Sequence, residues 1–378
     1  MNILNDSWEV TGKSIENFIL TLKELEENTE VLRVPSRDIT VLSNIIDDVY
    51  YKICSTLEEC NFNLPKVKLR GILDVALQHE LEKNTHTLFN IKDYGYFFLS
   101  NNLSTLGSRT GIGEAIGNPS LERDLHIFRL LNKTKSDVTL VIRKQGAVKK
   151  IEAVMSKGYG YISQDIIPSL IKEIEVDLGT VSDTRWVTNN HVTKFCGFFE
   201  EKRQEVASSY GKQDLLPGVF VMTSDTGDAS FRMHECWKKK DCIVIMPEGV
   251  IRKHLGDVNI PLLTSQMKKV WGDFKKVPDR MLNMMATPVV TKNDETEARE
   301  ELGEFLTRLF ESVKFEKKFG KKFTKKLILT LQLQTDYEMD SQYELYDNIM
   351  QYQEEITKGR KEEYQKMLGN LLLSDVWA

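Results

Sequence analysis

The densest run of chemistry-bearing residues in this 378-residue chain is Lys314-Phe315-Glu316-Lys317-Lys318-Phe319-Gly320-Lys321-Lys322-Phe323-Thr324-Lys325-Lys326. Seven lysines surround three phenylalanines spaced by four. On a helix that spacing stacks Phe315, Phe319 and Phe323 on one face and leaves the ammonium groups around the other. Such a pattern is either a core stripe with a solvated basic back, or a track along which phosphates displace their counterions. Gly320 weakens a continuous helix and can join two shorter ones. Further cations cluster at Lys144, Lys149, Lys150 and Lys157, at Lys238, Lys239 and Lys240, and at Arg252 and Lys253. Several fall on expected strand turns, so folding could gather them at one sheet end as a single basic groove. The candidate nucleic-acid contacts are therefore Lys314, Lys317, Lys318, Lys321, Lys322, Lys325, Lys326, Lys149, Lys150, Lys238, Lys239, Lys240, Arg252 and Lys253.

Other constellations carry less. Ser224-Asp225-Thr226-Gly227-Asp228 places two carboxylates and two hydroxyls within five residues. That set could hold a cation, but turn chemistry explains the same residues, because Ser and Asp bond the local backbone and Gly supplies a positive φ. His234, Cys236, Cys242 and His254 form a loose zinc-like set with no tight Cys or His pair to anchor it. Gly111-Ile112-Gly113-Glu114-Ala115-Ile116-Gly117 has the wrong spacing for a dinucleotide loop and no strand–helix setting. GxSxG, HExxH and GxxxxGK[ST] are all absent from the sequence. We therefore assign no catalytic residue, no metal and no cofactor from the sequence. Asp225, Asp228 and His234 are the first residues to mutate if the chain is an enzyme.

The elements that must position these groups change character along the chain. Ser14 caps an expected helix to Glu26, with Ile15, Phe18, Ile19, Leu22 and Leu25 on one face. Helical periodicity continues over Ile39 to Leu57 and Val67 to Leu81. Tyr94 to Leu99 is an aromatic strand candidate, Leu103 to Pro119 a loop, and Leu121 to Leu131 amphipathic. From Asp137 the period becomes two: Val138 to Arg143, a turn at Gln145-Gly146, and a return over Ala147 to Met155. Asp165 begins a helix to about Glu175 with Pro168 in its first turn. Strands are expected at Thr184 to Thr188, Val192 to Phe199, Val219 to Met222, Ala229 to Trp237 and Cys242 to Met246. The last three are joined by turns short enough to make them antiparallel neighbours. After Pro261 the pattern is helical: Ser265 to Trp271, Glu295 to Phe319, Lys321 to Leu333, and Ser341 to Leu373 broken near Gly359. The expected fold is α+β, a central antiparallel sheet in 91–260 between helical sections at 1–90 and 261–378.

Composition bounds the rest. Hydrophobic residues at 41% and charged residues at 28% describe a globular chain rather than a disordered one. A formal net charge of −5 excludes a surface coated in positive charge but permits a local basic stripe. No 18 apolar residues run together and no basic-then-apolar leader opens the chain, so neither a membrane span nor a secretory signal is expected. Five cysteines, an odd and scattered set, point to free thiols and a cytoplasmic setting, here the cytoplasm of a host cell.

Three central blocks carry a family likeness. The first runs from Leu140-Val141-Ile142-Arg143 to Ser156-Lys157-Gly158-Tyr159. The second is Gly218 to Arg232, containing Ser224-Asp225-Thr226-Gly227. The third is Cys242 to Gly249, followed by Arg252-Lys253-His254. In that order the chain resembles the phage- and plasmid-encoded family of the domain of unknown function 932, across roughly residues 100–345. Gly158 departs from the arginine common before the family's tyrosine, and Met246-Pro247-Glu248-Gly249 departs from its Asn-Gly turn. The resemblance implies a mobile-element origin and no particular reaction.

Together these readings predict a phage- or plasmid-derived, non-enzymatic protein that binds nucleic acid, foremost single-stranded DNA. The alternative is a protein–protein module, either a virion or assembly component or an inhibitor of a host protein, and a homo-oligomer is compatible with both. The acidic stretch from Asp336 through Glu363 is a candidate to fold back on the basic elements.

Overall fold

The computed structural model describes residues 3–4, 7–43, 87–99, 137–146, 148–208, 211–253, 259–271, 276–290, 294–336 and 340–377. The helical runs expected within 44–86, the 103–131 segment with its glycine loop, Cys54, Cys60 and His254 lie outside these residues. Among the described residues the fold is α+β, with strands in two sheets and helices at both ends of the chain.

The larger sheet follows the order β1 (Glu9–Gly12), β8 (Val181–Asn189), β9 (Thr193–Phe199), β11 (Gly211–Thr223), β12 (Phe231–Lys239) and β13 (Cys242–Arg252). β10 (Gln204–Ser208) pairs with the first part of β11. The smaller sheet has β2 (Thr29–Pro35), β6 (Asp137–Gln145), β7 (Val148–Ser156), β5 (Gly95–Leu99), β4 (Thr87–Ile91) and β3 (Ile39–Ser43), in that order. Its pairs are antiparallel apart from β5 with β7.

α1 (Ile15–Glu27) starts where the sequence places it: the Ser14 hydroxyl accepts from the Asn17 amide at 3.2 Å, satisfying one of the orphan donors of the first turn. α1 and α2 (Ile166–Leu178) bury Phe18, Leu22, Ile167, Leu170 and Ile174 against Trp186, Phe195, Val219 and Val221 of the larger sheet. The opposite sheet face carries Cys196, Phe198, Phe220, Met222, Cys236, Ile243 and Ile245. This alternation follows from the period of two along each strand.

The C-terminal section comprises α3 (Ile260–Trp271), α4 (Lys276–Ala286), α5 (Glu295–Ser312), α6 (Phe315–Phe319), α7 (Lys321–Gln334), α8 (Gln342–Gln351) and α9 (Lys361–Leu372). α9 packs closely on β13, where a Cβ on Gly369 would lie 2.1 Å from the Ile245 carbonyl oxygen. Gln353 completes the cover of this edge strand: its amide donates to the Ile243 carbonyl at 3.0 Å and its oxygen accepts from the Ile243 amide at 3.4 Å. The Ile243 amide and carbonyl, which an edge strand would otherwise leave unpaired, are thereby satisfied by a side chain.

The structure corrects three readings of local structure. Ile39 to Ser43 is a strand, not the start of a helix, because Ile39 and Val41 fit a two-residue period as well as a helical one and β-branching favours the extended form. The helix expected over 295–319 is interrupted at Val313-Lys314, where Lys314 takes a left-handed φ of 56°. The described part of the N-terminal section is also richer in strand than its apolar periodicity suggests, with β1, β2 and β4 joining the two sheets.

Candidate functional site

The predicted lysine stripe forms as an element. Phe315 and Phe319 are buried, with Phe315 stacked 4.6 Å from Phe310 and 4.8 Å from Phe319 between ring centroids. Phe323 lies 6.1 Å from both, and Tyr364 of α9 meets Phe319 edge-on at 5.5 Å. The aromatic face is therefore interior, anchoring α6 and the start of α7 to α5 and α9. Phe315 and Phe319 offer no stacking surface for bases, and Phe323 is partly buried.

The opposite face is mainly cationic, with Glu316 of α6 exposed among the lysines. Lys314, Lys317, Lys318, Lys321, Lys322, Lys325 and Lys326 are exposed. Lys326 approaches Glu355 at 4.0 Å; among the described residues the other six make no ion pair. Each of these six keeps its full charge for a ligand, whereas a lysine already paired must first give up its carboxylate. Arg360 of the C-terminal section lies 4.6 Å over the Phe319 ring, donates to the Lys318 carbonyl and pairs with Glu363 at 3.7 Å, an eighth cation at this surface.

The remaining candidate cations sit elsewhere. Lys150 is buried in an ion pair with Glu152 at 3.1 Å and donates to the Leu4 carbonyl at 3.0 Å. Lys149 is half-buried and reaches the Tyr94 carbonyl at 3.4 Å. Lys144 pairs with Glu30 at 3.1 Å and Lys157 with Asp137 at 3.0 Å. Lys238 pairs with Asp183, and Lys239 with Asp347 at 2.6 Å. Lys240 occupies the β12–β13 turn with φ 50°. Arg252 and Lys253 are exposed at the far end of the same hairpin, since Arg252 pairs with Phe231 while Cys242 pairs with Lys239. Ten residues of strand separate the two ends by about 30 Å. The single groove expected from convergence does not form among the described residues; the lysines of α6 and α7 stand as a face of their own.

The Ser224–Asp228 turn has a role that the sequence did not reveal. Gly227 takes φ 78°, a backbone that favours glycine, and a Cβ there would lie 1.8 Å from Met155 Cε, so a larger residue would also displace the methionine end. The Ser224 hydroxyl accepts from the Asp228 amide at 3.0 Å, as turn chemistry requires. Asp225, however, leaves its own turn and pairs with Arg143 of β6 at 2.6 Å, with side chains 3% and 0% exposed. Arg143 also donates to the Thr29 hydroxyl. Burial pushes Arg143 down, but Asp225 and Glu152 more than offset it and the guanidinium is held above its usual range. Glu152 is the extra residue of a β-bulge, since Val141 pairs with Ala153 and Ile142 with Ile151. The Tyr159 hydroxyl donates to the Asp225 carbonyl at 3.1 Å. Tyr161 and the Gln164 amide converge on Glu26 at 2.9 and 3.0 Å. This buried ionic seam joins the two sheets and removes Asp225 from solvent. Asp228 instead faces His191 at 2.8 Å on the surface.

The zinc-like set is dispersed. His234 pairs with Gly249 and Cys242 with Lys239, seven residues apart along β13. The ladder shifts between His234 and Cys236, and His234 Nδ1 lies 3.1 Å from the Met246 carbonyl in that irregular stretch. Burial, then Lys366, holds the imidazole below its usual range. Cys196, Cys236 and Cys242 are free thiols, and burial pushes Cys236 well up. Among the described residues no three His, Cys, Asp or Glu side chains gather as a metal site. Nor, among them, is any helix long and apolar enough to cross a membrane.

The acidic 336–363 stretch returns on two of the candidate lysines, Lys239 and, at 4.0 Å, Lys326, and on lysines outside the candidate set. Asp347 holds Lys239, and Glu362 holds Lys194 and Lys366 at 2.5 and 2.6 Å. Burial raises the Glu362 carboxyl, but hydrogen bonds from Lys194 and Lys366 keep it below its usual value. These pairs tie the C-terminal helices to the larger sheet and leave the α6–α7 face open.

Fold and site thus define an α+β protein with a lysine face on an aromatic anchor, six of whose lysines make no ion pair among the described residues. No family model, curated protein or solved structure matches the chain, and the family likeness of the central blocks rests on their residues alone.

Proposed function

We propose that this protein binds nucleic acid, foremost single-stranded DNA, through the exposed lysines of α6 and α7, and that it originates on a phage or plasmid. The observation that carries the binding reading is the set of six lysines without ion-pair partners among the described residues, on helices fixed from behind by Phe315, Phe319 and Phe323. The mobile-element origin is supported by the 140–159, 218–232 and 242–254 blocks of the sequence. With Phe315 and Phe319 buried and Phe323 partly so, contact is chiefly to phosphates, and binding does not depend on base sequence. If four to six lysines each neutralise one phosphate of a single strand, log K falls against log salt with a slope of about −3 to −4.

The test is fluorescence anisotropy with a labelled single-stranded oligonucleotide across a salt series. Binding at low salt with that slope, reduced at least tenfold in Lys321→Glu/Lys322→Glu/Lys325→Glu, is the expected result. Absence of binding at low salt rules the reading out.

One observation favours the second reading, a protein-docking module. Leu329 and Leu333 of α7 are 60% and 66% exposed, one helical turn apart beside the lysines. A nuclease-resistant complex that Leu329→Ser/Leu333→Ser abolishes would favour that reading over the first.

A further inference from the structure

We infer that α7 pairs antiparallel with α7 of a second copy of this chain, through Leu329 and Leu333. α7 buries Thr324, Leu327 and Leu331 against its own protein and turns the opposite face to solvent. That face carries Lys322, Lys326, Leu329 and Leu333, all exposed, with the two leucines at 60% and 66%. Their spacing of four, three and four residues is that of the a and d positions of a coiled coil. The seam lies diametrically opposite the buried side, so a second helix can reach it without displacing the first contact. The inference rests on the docking reading of Leu329 and Leu333 and commits that surface to one occupant.

The order of charge along the seam selects the orientation. Lys321 and Lys322 stand in the first turn of α7, which holds no acidic residue and where the helix dipole disfavours cations. Beyond the other end come Asp336, which is exposed, and Asp340, whose carboxyl accepts from the Asp336 amide at 2.7 Å. The face is thus basic, then apolar, then acidic. A parallel pair would set lysine against lysine, whereas an antiparallel pair sets each basic end against an acidic one. With the two-fold axis level with Leu331, Leu329 meets Leu333 of the second copy. Lys326 then lies level with Asp336 of the second copy, because each pair is evenly spaced about that residue. Lys326 approaches its own Glu355 only at 4.0 Å, with side chains 72% and 56% exposed, which leaves its ammonium free to turn to a second carboxylate. Burial, with Glu344 and Asp336 nearby, holds the Asp340 carboxyl above its usual range, and ammonium groups brought by a second copy relieve that. α7 is about 21 Å long, so the pair buries less than the ~1,600 Å² of a standard interface and the dimer is weak.

Sedimentation velocity of the nuclease-treated protein at low salt, from micromolar to submillimolar concentration, tests this. The wild-type protein is expected to pass from monomer to dimer across that range, and Leu329→Ser/Leu333→Ser to stay monomeric throughout. Both leucines are exposed, so that variant keeps its fold. Lys326→Glu and Asp336→Lys are each expected to weaken the dimer about fivefold, since each charge contact occurs twice by symmetry. The two changes together are expected to restore it to within about twofold of wild type. A wild-type protein that is monomeric throughout overturns the inference, as does a leucine variant that dimerises like wild type. Failure of the double charge exchange to restore the dimer overturns the antiparallel arrangement. A monomeric protein that still forms a leucine-dependent complex with a different protein also overturns it, while the docking reading survives.

Discussion

Arg143 and Asp225 lie 82 residues apart in the chain and form an ion pair from which water is almost entirely excluded. Removing one partner leaves the other charged and unpaired inside the protein, so Asp225→Ala should lower unfolding free energy by about 3–5 kcal/mol in urea denaturation. Arg143→Met/Asp225→Leu should cost much less than the single change, because no lone charge remains. Equal losses in single and double variants would show that the pair does not act as a unit. Glu235 makes a second case. Burial pushes its carboxyl up to about 7, against a hydrogen bond from the Trp237 indole at 2.5 Å. Between about pH 4.5 and pH 7 the folded chain keeps a proton that the unfolded chain has released, so stability falls as pH rises through that window. The loss approaches roughly 3 kcal/mol at the top of it. Glu235→Gln keeps an acceptor for the indole and should flatten that pH dependence in thermal melts; an unchanged slope would contradict it. Neither residue was legible beforehand. Asp225 sits in a run that any turn would favour, and the strand carrying Arg143 was recognised without its partner, which only the docking of two sheets supplies.

At the scale of elements, α6 and α7 were readable because one short stretch encodes both faces. Phe315 and Phe319, with Phe323 partly buried beside them, specify the inner side, and the lysines between them face water. Phe319→Ala should therefore destabilise the C-terminal section by about 3 kcal/mol, measured by chemical denaturation, and weaken nucleic-acid binding only as far as the lysine face is disordered. The β11–β12–β13 meander was equally clear from its alternation and short polar turns. What the pattern could not separate were short apolar runs such as Ile39 to Ser43, which fit either period, and helix breaks such as Lys314, where a lysine adopts the left-handed backbone that glycine more often signals. The β10–β11 hairpin escaped notice because Gln204 to Ser208 is largely polar.

For the whole molecule, the acidic total and the basic face are reconciled by pairing. Carboxylates on α8 and α9 neutralise lysines of the larger sheet, at Lys239 and Lys194, and so fasten the C-terminal section, while six of the seven α6–α7 lysines make no ion pair among the described residues. Net charge alone could not reveal this, since it does not say which lysines face which carboxylates. The α+β class was legible from the order of patterns along the chain; the division of the strands into two sheets joined by a buried ionic seam was not, because strand pairing between distant segments leaves no local mark. The most direct measurement of the central claim is residue-resolved lysine acetylation, by mass spectrometry, with and without a single-stranded oligonucleotide at low salt. Selective protection of Lys317, Lys318, Lys321, Lys322 and Lys325, with Lys253 reacting unchanged, is the predicted outcome. Uniform reactivity at all of them, or protection centred on Lys253, would contradict it.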